Sequence, residues 1–324
     1  MIQNYADALA FIHGRTKFKK IPTLKRMRRF LAELGNPEQG LHYIHVTGTN
    51  GKGSTVAMLR SMLLDSGLTV GSFTSPFITR FNERIEYNAQ QISDDRLIRL
   101  AQRLEAVVAK LDRELPTGRP TEFEIDTALM FCYMAEKKPD VVLLEVGIGG
   151  LYDSTNVIIP DVSVITTVGW DHMKYLGNTL GAIATQKAGI IKPGVPVVIG
   201  KLPAESQKVI EQTATEKNAP LAELGRDFAV RKTNAHGLRA QIQYDGLNIH
   251  HGRFQLGLAG DYQVENAAIA LTAAQLFLQG RGLPVDQSAL HQGLAASRWP
   301  GRMEVVNREP PVMLDGAHNL PGMH

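Results

Sequence analysis

The sequence predicts an α/β fold, a doubly wound and mostly parallel sheet that carries a phosphate loop. Three observations predict it. The apolar run Tyr43-Ile44-His45-Val46 leads into Gly48-Thr49-Asn50-Gly51-Lys52-Gly53-Ser54-Thr55, and helix-spaced apolar residues from Val56 to Leu64 follow at once. A nearly all-apolar strand pattern, Asp140 to Val146, carries Glu145 at its end and runs into Gly147-Ile148-Gly149-Gly150. A third strand pattern, Val162 to Val168, repeats that layout and delivers Trp170-Asp171-His172. Helical patterns between most of these strands give the alternation of a doubly wound sheet.

Composition bounds the rest. With 324 residues, 44% hydrophobic and 21% charged, the chain has a folded protein's balance and room for two domains. A net charge of +3 is too small to argue for nucleic acid or a membrane surface, although a slightly basic balance suits anionic small molecules. The single cysteine, Cys132, excludes an intrachain disulfide and sits in an apolar stretch that assigns it to the core. No apolar run reaches membrane-spanning length and no leader pattern opens the chain, so a cytoplasmic protein is expected.

Residues 4–34 hold two helical patterns around the basic, loop-like Gly14-Arg15-Thr16-Lys17-Phe18-Lys19-Lys20, and Gly35-Asn36-Pro37 ends the second. The basic run is a solvated face or a collar for an acidic ligand. After the glycine loop and its helix, Thr69 to Phe73 reads as a strand that enters the loop Thr74 to Ile85. There Phe77 and Phe81 look exposed beside Arg80, Glu83 and Arg84, which suits either a flat ligand with an acidic tail or a loop pinned by packing. Ser93 caps a helix from about Asp94 to Leu115, Pro116 to Pro120 breaks it, and Thr121-Glu122-Phe123-Glu124 opens another with acids in its first turn.

Beyond the third strand, Thr179 to Gly189 reads as a helix bearing Lys187, by default a snorkelling surface lysine, and His172 before it is either a metal ligand or a loop histidine. Pro196 to Ile199 reads as a strand and Ala204 to Lys217 as a helix. From Arg226 to Leu258 the texture changes to alternating strands, among them Phe228-Ala229-Val230 and Leu238 to Ile242, a small β appendage. An alanine-rich helix from Val264, a helix from Asp286 to Ala296 and a last strand, Val312 to Asp315, complete the pattern.

The glycine loop has a direct chemical reading. Its backbone N–H groups and the helix N-terminus suit phosphate oxygens, Lys52 would reach the terminal phosphates, and Ser54 or Thr55 would offer a hydroxyl toward Mg²⁺. The general phosphate-loop spacing is not fully kept: Val46 stands where the first glycine belongs, and Gly53 separates Lys52 from Ser54. Glu145, at the carboxyl edge of a buried parallel strand, is placed to hold Mg²⁺ beside that loop; the competing reading is a salt-bridged or capping glutamate.

Several strings share one further property. His45 to Ser54, Thr74-Ser75-Pro76-Phe77, Arg80 to Ile85, Glu145 to Gly150, Asp153-Ser154-Thr155-Asn156-Val157, Asp171-His172, Lys187 to Lys192 and Asp315-Gly316-Ala317-His318-Asn319 together resemble the folylpolyglutamate synthase and dihydrofolate synthase family of Mur ligases, in family order across nearly the whole chain. The resemblance implies ATP-dependent ligation of L-glutamate to the γ-carboxylate of a folate through an acyl phosphate, with dihydrofolate synthase activity as the alternative or companion. It implies that Asn50, Gly51, Lys52, Gly53, Ser54, Asn266, Arg302 and Asp315 hold ATP. Ser75 and Glu145 would ligate one Mg²⁺, and His172 a second. Lys187 matches the family's carbamylated lysine, in which CO₂ turns the amine into a carboxylate-like group; Lys52, Lys187 and His172 are thus the implied catalytic residues. Folate is implied against Phe77, Arg80, Arg84, Glu122 and Asp153, with the Gly147 to Asp153 segment as a mobile loop that closes over the site.

The implied division is an ATP-binding Mur ligase-like domain over residues 1–302, with the β appendage at about 226–258, and the beginning of a C-terminal α/β domain over residues 303–324. Family members carry a further C-terminal domain of about 100 residues, so a truncated member is expected, with impaired turnover or nothing beyond nucleotide and folate binding. The expected partners are folate, L-glutamate and ATP, without nucleic acid or membrane, on a monomeric chain.

Overall fold

The structure is a computed structural model and describes residues 1–17, 23–115, 118–236, 239–317 and 319. Phe18, Lys19 and Lys20 of the basic run, Pro116 of the predicted helix break, Leu238 of a predicted strand and His318 lie outside the described residues. In chain order the elements begin with α1 (Tyr5–His13), α2 (Lys25–Glu33), β1 (Tyr43–Thr47), α3 (Lys52–Asp65) and β2 (Val70–Phe73). A short helical turn at Phe81–Arg84 precedes β3 (Ile85–Tyr87), β4 (Gln90–Gln91), α4 (Asp94–Glu114), α5 (Glu122–Lys137) and β5 (Val141–Glu145). Then come β6 (Val162–Ile165), α6 (Met173–Leu176), α7 (Leu180–Ala188), β7 (Val197–Ile199), α8 (Ala204–Glu216) and β8 (Leu221–Glu223). The last part holds β9 (Phe228–His236), β10 (Arg239–Gly246), β11 (Ile249–Ala259), α9 (Tyr262–Gly280), α10 (Gln287–Ala296), β12 (Glu304–Arg308) and β13 (Pro311–Leu314).

Among the described residues the central sheet has eight strands in the order β4-β3-β2-β5-β1-β6-β7-β8, parallel except for β3 and β4. Strands β1 and β5 are buried along their whole length because alternate side chains enter two different helical layers. Ile44, Val46, Val141 and Leu143 pack with α3 and α9, whereas Tyr43, Val142 and Leu144 pack with α4 and α5. The chain leaves β1 for one side of the sheet and later returns to its other side at β6. The register sets Val46 opposite Glu145 and Thr47 opposite Ile165, so the carboxyl ends of β5, β1 and β6 stand together at that reversal.

Local chemistry sets the helix starts. Ser93 and Thr179 accept from the N–H groups of Arg96 and Ala182, and Thr121 with Glu124 forms a reciprocal capping box. Two expectations are corrected in extent. The strand predicted over Val162 to Val168 ends at Ile165, because the Thr166 and Thr167 hydroxyls turn to the Asn50 carbonyl. The alanine-rich helix starts earlier, at Tyr262, and runs to Gly280. Phe81, expected to be exposed, is buried in the α4–α5 side of the core: its ring meets those of Phe77 and His13, and Arg84 lies over it.

The predicted β appendage is a three-stranded antiparallel sheet, β11-β10-β9, whose inner face belongs to the main core. Period-2 alternation turns Ala240, Ile242 and Tyr244 inward against Phe254 and Leu256, and α9 and α10 join this sheet to α3. Glu304 to Leu314 form the antiparallel hairpin of β12 and β13.

The α3–α10 contact is close at Gly293, where an added Cβ would lie 2.5 Å from Met62 Cα, whereas nothing lies within 4 Å of one added at Gly280. Gly293→Ala should therefore destabilise the fold by about 1–3 kcal/mol, while Gly280→Ala should leave it unchanged or up to about 1 kcal/mol more stable. Urea unfolding of the two variants checks the contrast.

Candidate active site

The loop that follows β1 becomes α3 at Gly51, whose φ of +86° lies in the left-handed region and whose missing Cβ leaves room for Asn266 Oδ1. Lys52 is the first helical residue, and its Nζ folds back over the loop to donate to the Gly48 and Thr49 carbonyls at 3.0 and 3.4 Å. A cavity of about 820 Å³ opens above. Asn50, Gly51, Ser54, Asn266, Arg302 and Asp315, all predicted for the nucleotide, line it. Lys52 and Gly53 do not line it: Lys52 lies across the loop, and Gly53 lets the Trp299 indole come close.

The first turn of α9 is bolted to the loop helix. Gln263 Nε2 donates to Ser54 Oγ at 3.1 Å and Asn266 Nδ2 donates to Gln263 Oε1 at 2.9 Å. Asp315 ties the hairpin to the same cavity, accepting from Met303 N at 2.9 Å and from the Tyr262 hydroxyl at 3.1 Å. Burial and the Asp315 charge beside it push the Tyr262 hydroxyl up to about 12. Gln263, Tyr262, Thr166 and Thr167 had not been predicted; a pair of threonines just past a buried strand was the available signal for the last two.

Glu145 is the centre of the arrangement. It is buried at the end of β5 and accepts from Ser75 N at 3.0 Å. Burial pushes its carboxyl above the usual range, while Lys52, the Ser75 N–H, Arg302 and Arg84 pull it down. Among the described residues no three His, Cys, Asp or Glu side chains form a metal cluster. Mg²⁺ does not require one, because it takes one or two protein ligands and completes its shell with water and phosphate oxygens. A buried carboxylate with a serine beside it and a phosphate loop opposite fits that demand. The alternative of a salt-bridged glutamate fails, since no ion pair to Glu145 within 4.0 Å is found among the described residues.

A second cavity of about 450 Å³ is walled by Ser75, whose N–H donates to Glu145, and by Arg84, Glu122, Phe123, Asp126 and Asp153 among others. Arg84, Glu122 and Asp153, three of the residues predicted to meet folate, line this cavity. Arg80 does not: it reaches outward to Asp94 and over the Tyr5 ring. Phe77 is also absent from the wall and backs the Arg84 guanidinium at 5.2 Å. Asp126, which had not been predicted, is buried in the same wall, and burial with the Glu122 charge pushes it up to about 7 against the pull of Arg84. An acid inside the apolar run Ile125 to Met134 was the available signal.

The segment expected to be a mobile loop is tied down in the structure. Asp153 accepts from Ile148 N, Thr155 N and Thr155 Oγ1, and Leu151 N donates to Gln186 O at 2.7 Å. His45, fully buried and held down to about 3 by burial and Lys192, bonds Thr155 through Nε2. Lys187 also departs from its surface default. It is buried, and burial with the Lys52 charge lowers it to about 7, opposed by Asp171. An amine with a substantial uncharged fraction near neutrality can add CO₂, so the chemistry of Lys187 fits a carbamate. His172 lines the second cavity, 3.7 Å from Asp171 through Nε2.

A lysine-bearing glycine loop on a parallel sheet, a buried carboxylate at the next strand end and two cavities at the site define a ligase of the Mur type, and residues 46–274 match the Mur ligase middle domain. Within that superfamily, the chain belongs to the folylpolyglutamate synthase and dihydrofolate synthase family of ATP-dependent ligases. It is 44% identical over 324 residues to the dihydrofolate synthase/folylpolyglutamate synthase of Bacillus subtilis, covering 100% of this chain and 75% of that protein. It is 42% identical over 321 residues to the folylpolyglutamate synthase of Lacticaseibacillus casei, covering 99% of this chain and 75% of that protein. A solved FPGS–AMPPCP–folate complex superposes with a TM-score of 0.94 at 42% identity, covering 99% of this chain and 78% of that one. No helix among the described residues is long and apolar enough to cross a membrane.

Two outcomes follow from this geometry. Gly51→Ala forces both a strained φ and a collision with Asn266, so affinity for AMPPCP should fall roughly tenfold or more in a titration. Lys187 has a folded-state pKa below its unfolded value, so its contribution opposes folding below pH 7 and fades as pH rises toward 10. Lys187→Met should therefore raise the unfolding temperature at pH 6.5 and give little gain at pH 10.

Proposed function

We propose that this chain ligates L-glutamate to the γ-carboxylate of a folate, with ATP as the phosphoryl donor. The observation that carries the proposal is the position of Glu145, under the influence of Lys52 and Arg302 from the nucleotide side and of Arg84 from the second cavity. Lys52 and Arg302 draw the γ-phosphoryl group to this point, and the second cavity would deliver the acceptor carboxylate to it. Names of relatives support the reading: an FPGS is solved with AMPPCP and folate together.

In the proposed reaction a folate carboxylate oxygen attacks the γ-phosphorus of ATP and ADP leaves. The amine of glutamate then attacks the acyl carbon, forming the amide and releasing phosphate and a proton. Lys52 and the loop N–H groups hold the phosphates, Arg302 clamps them from the hairpin side, and Asn50, Gly51, Asn266 and Asp315 shape the nucleotide cavity. Ser75 and Glu145 would hold one Mg²⁺, with His172 and a Lys187 carbamate beside a second. The metal would offset charge on the transferring phosphoryl group. Arg84, Glu122 and Asp153 orient the folate, and the walls of the second cavity keep water from the acyl phosphate. The Bacillus subtilis relative carries both names, so dihydropteroate belongs among the acceptors tested.

Incubation with ATP, Mg²⁺, tetrahydrofolate and L-glutamate should sustain ADP release over many turnovers only when folate and glutamate are both present and give a product one glutamyl unit longer by mass. Lys52→Ala should lower that rate by about a hundredfold or more. ADP release independent of folate, or full activity in Lys52→Ala, would refute the proposal.

A further inference from the structure

The second cavity contains buried charged atoms whose partners the proposed reaction does not specify. On its α5 wall Glu122 and Asp126 lie four residues apart, hence on one helix face. Both Asp126 carboxylate oxygens and Glu122 Oε2 are buried without a hydrogen-bond partner among the described residues. Arg84 Nε and Nη1 are in the same condition, and Nε stands 3.9 Å from Asp126 Oδ2, too far for a hydrogen bond. The guanidinium is held in place by the Phe77 and Phe81 rings, 5.2 and 5.8 Å from their centroids. Buried polar atoms left open in a cavity wall are matched by whatever fills the cavity.

The atom types state what fits. Adjacent unpartnered carboxylate oxygens require an edge of adjacent N–H donors, and the guanidinium beside them requires an acceptor next to those donors. A carboxylate in this corner would satisfy Arg84 but would add a third negative charge beside Asp126 and Glu122 and leave their oxygens open. The corner therefore selects a heterocycle over an acidic tail, and Phe123, which also lines the cavity, offers it a flat face.

We propose that Asp126 is a specificity-determining residue that reads the amino-oxo edge of the substrate's pteridine head: its two oxygens accept from the ring N–H and the exocyclic amino group, while Arg84 donates to the neighbouring carbonyl oxygen. The assignment rests on the folate reading above and adds a residue and a direction to it, with the head at α5 and the acidic tail toward Glu145.

A thermodynamic cycle tests it. The probes are folate and its analogue in which a methyl group replaces the 2-amino group, titrated into the wild-type chain, Asp126→Ala and Asp126→Asn. The wild type should bind the analogue about tenfold or more weakly than folate, and Asp126→Ala should bind both within about twofold of each other. Asp126→Asn, which keeps one acceptor and nearly the same shape, should retain about threefold discrimination. AMPPCP affinity should be the same in all three, which reports intact folding. If either variant discriminates between the probes as the wild type does, Asp126 is a packing residue and the assignment falls while the folate reading stands. If the wild type binds no folate, the folate reading falls and takes this assignment with it.

Discussion

The buried carboxylate of Glu145 is the constraint on which the other site features depend. A charge taken out of water is costly unless neighbours compensate it, and here the compensation comes from distant parts of the chain: the Ser75 N–H after β2, Lys52 after β1, Arg302 before the C-terminal hairpin and Arg84 before β3. The parallel registers that set Glu145 beside Val46 and Leu144 beside Phe73 bring Lys52 and the Ser75 N–H to this strand end. The same register lifts Thr166 and Thr167 to the Asn50 carbonyl and fixes the far side of the glycine loop. Sheet order, loop shape and the separation of the two cavities thus follow from one crowded strand edge.

Around that edge the protein retains groups that a purely structural design would avoid. Lys187 is buried next to the positive field of Lys52, and Asp126 is buried with neither oxygen hydrogen-bonded. Both are shifted to about 7, from opposite directions, because burial disfavours the charged form of each. Such placements oppose folding and persist where surrounding packing fixes them. The packing is ample here: α7 carries Lys187 against the Gly150 and Leu151 backbone, and α5 lies in the deepest part of the core.

Much of this was legible in the sequence, for a definite reason. Strand, glycine loop, helix start and the position of Glu145 are local patterns, and the caps at Ser93, Thr121 and Thr179 are chosen by neighbours three residues away. What was not legible depends on contacts across the fold. Phe77 and Phe81 share one loop with Arg80, Glu83 and Arg84 and look alike, yet only Phe81 is fully buried, although both rings back the Arg84 guanidinium. Arg80 and Arg84 are equivalent on paper, but a short helical turn sends one outward to Asp94 and the other into the cavity wall. Ala240, Ile242 and Tyr244 show the alternation of a strand without showing that their inner face meets α9 rather than standing apart. The burial of Lys187 was reachable only through family likeness, since its helix reads as an ordinary small-residue helix.

The central claim is that Glu145 joins the nucleotide to the second cavity through a divalent cation. Isothermal titration of AMPPCP with and without Mg²⁺, into the wild-type chain and Glu145→Gln, tests it most directly. The account predicts that Mg²⁺ tightens binding to the wild type by about tenfold or more and leaves Glu145→Gln nearly unaffected. An equal Mg²⁺ enhancement in both proteins would contradict it.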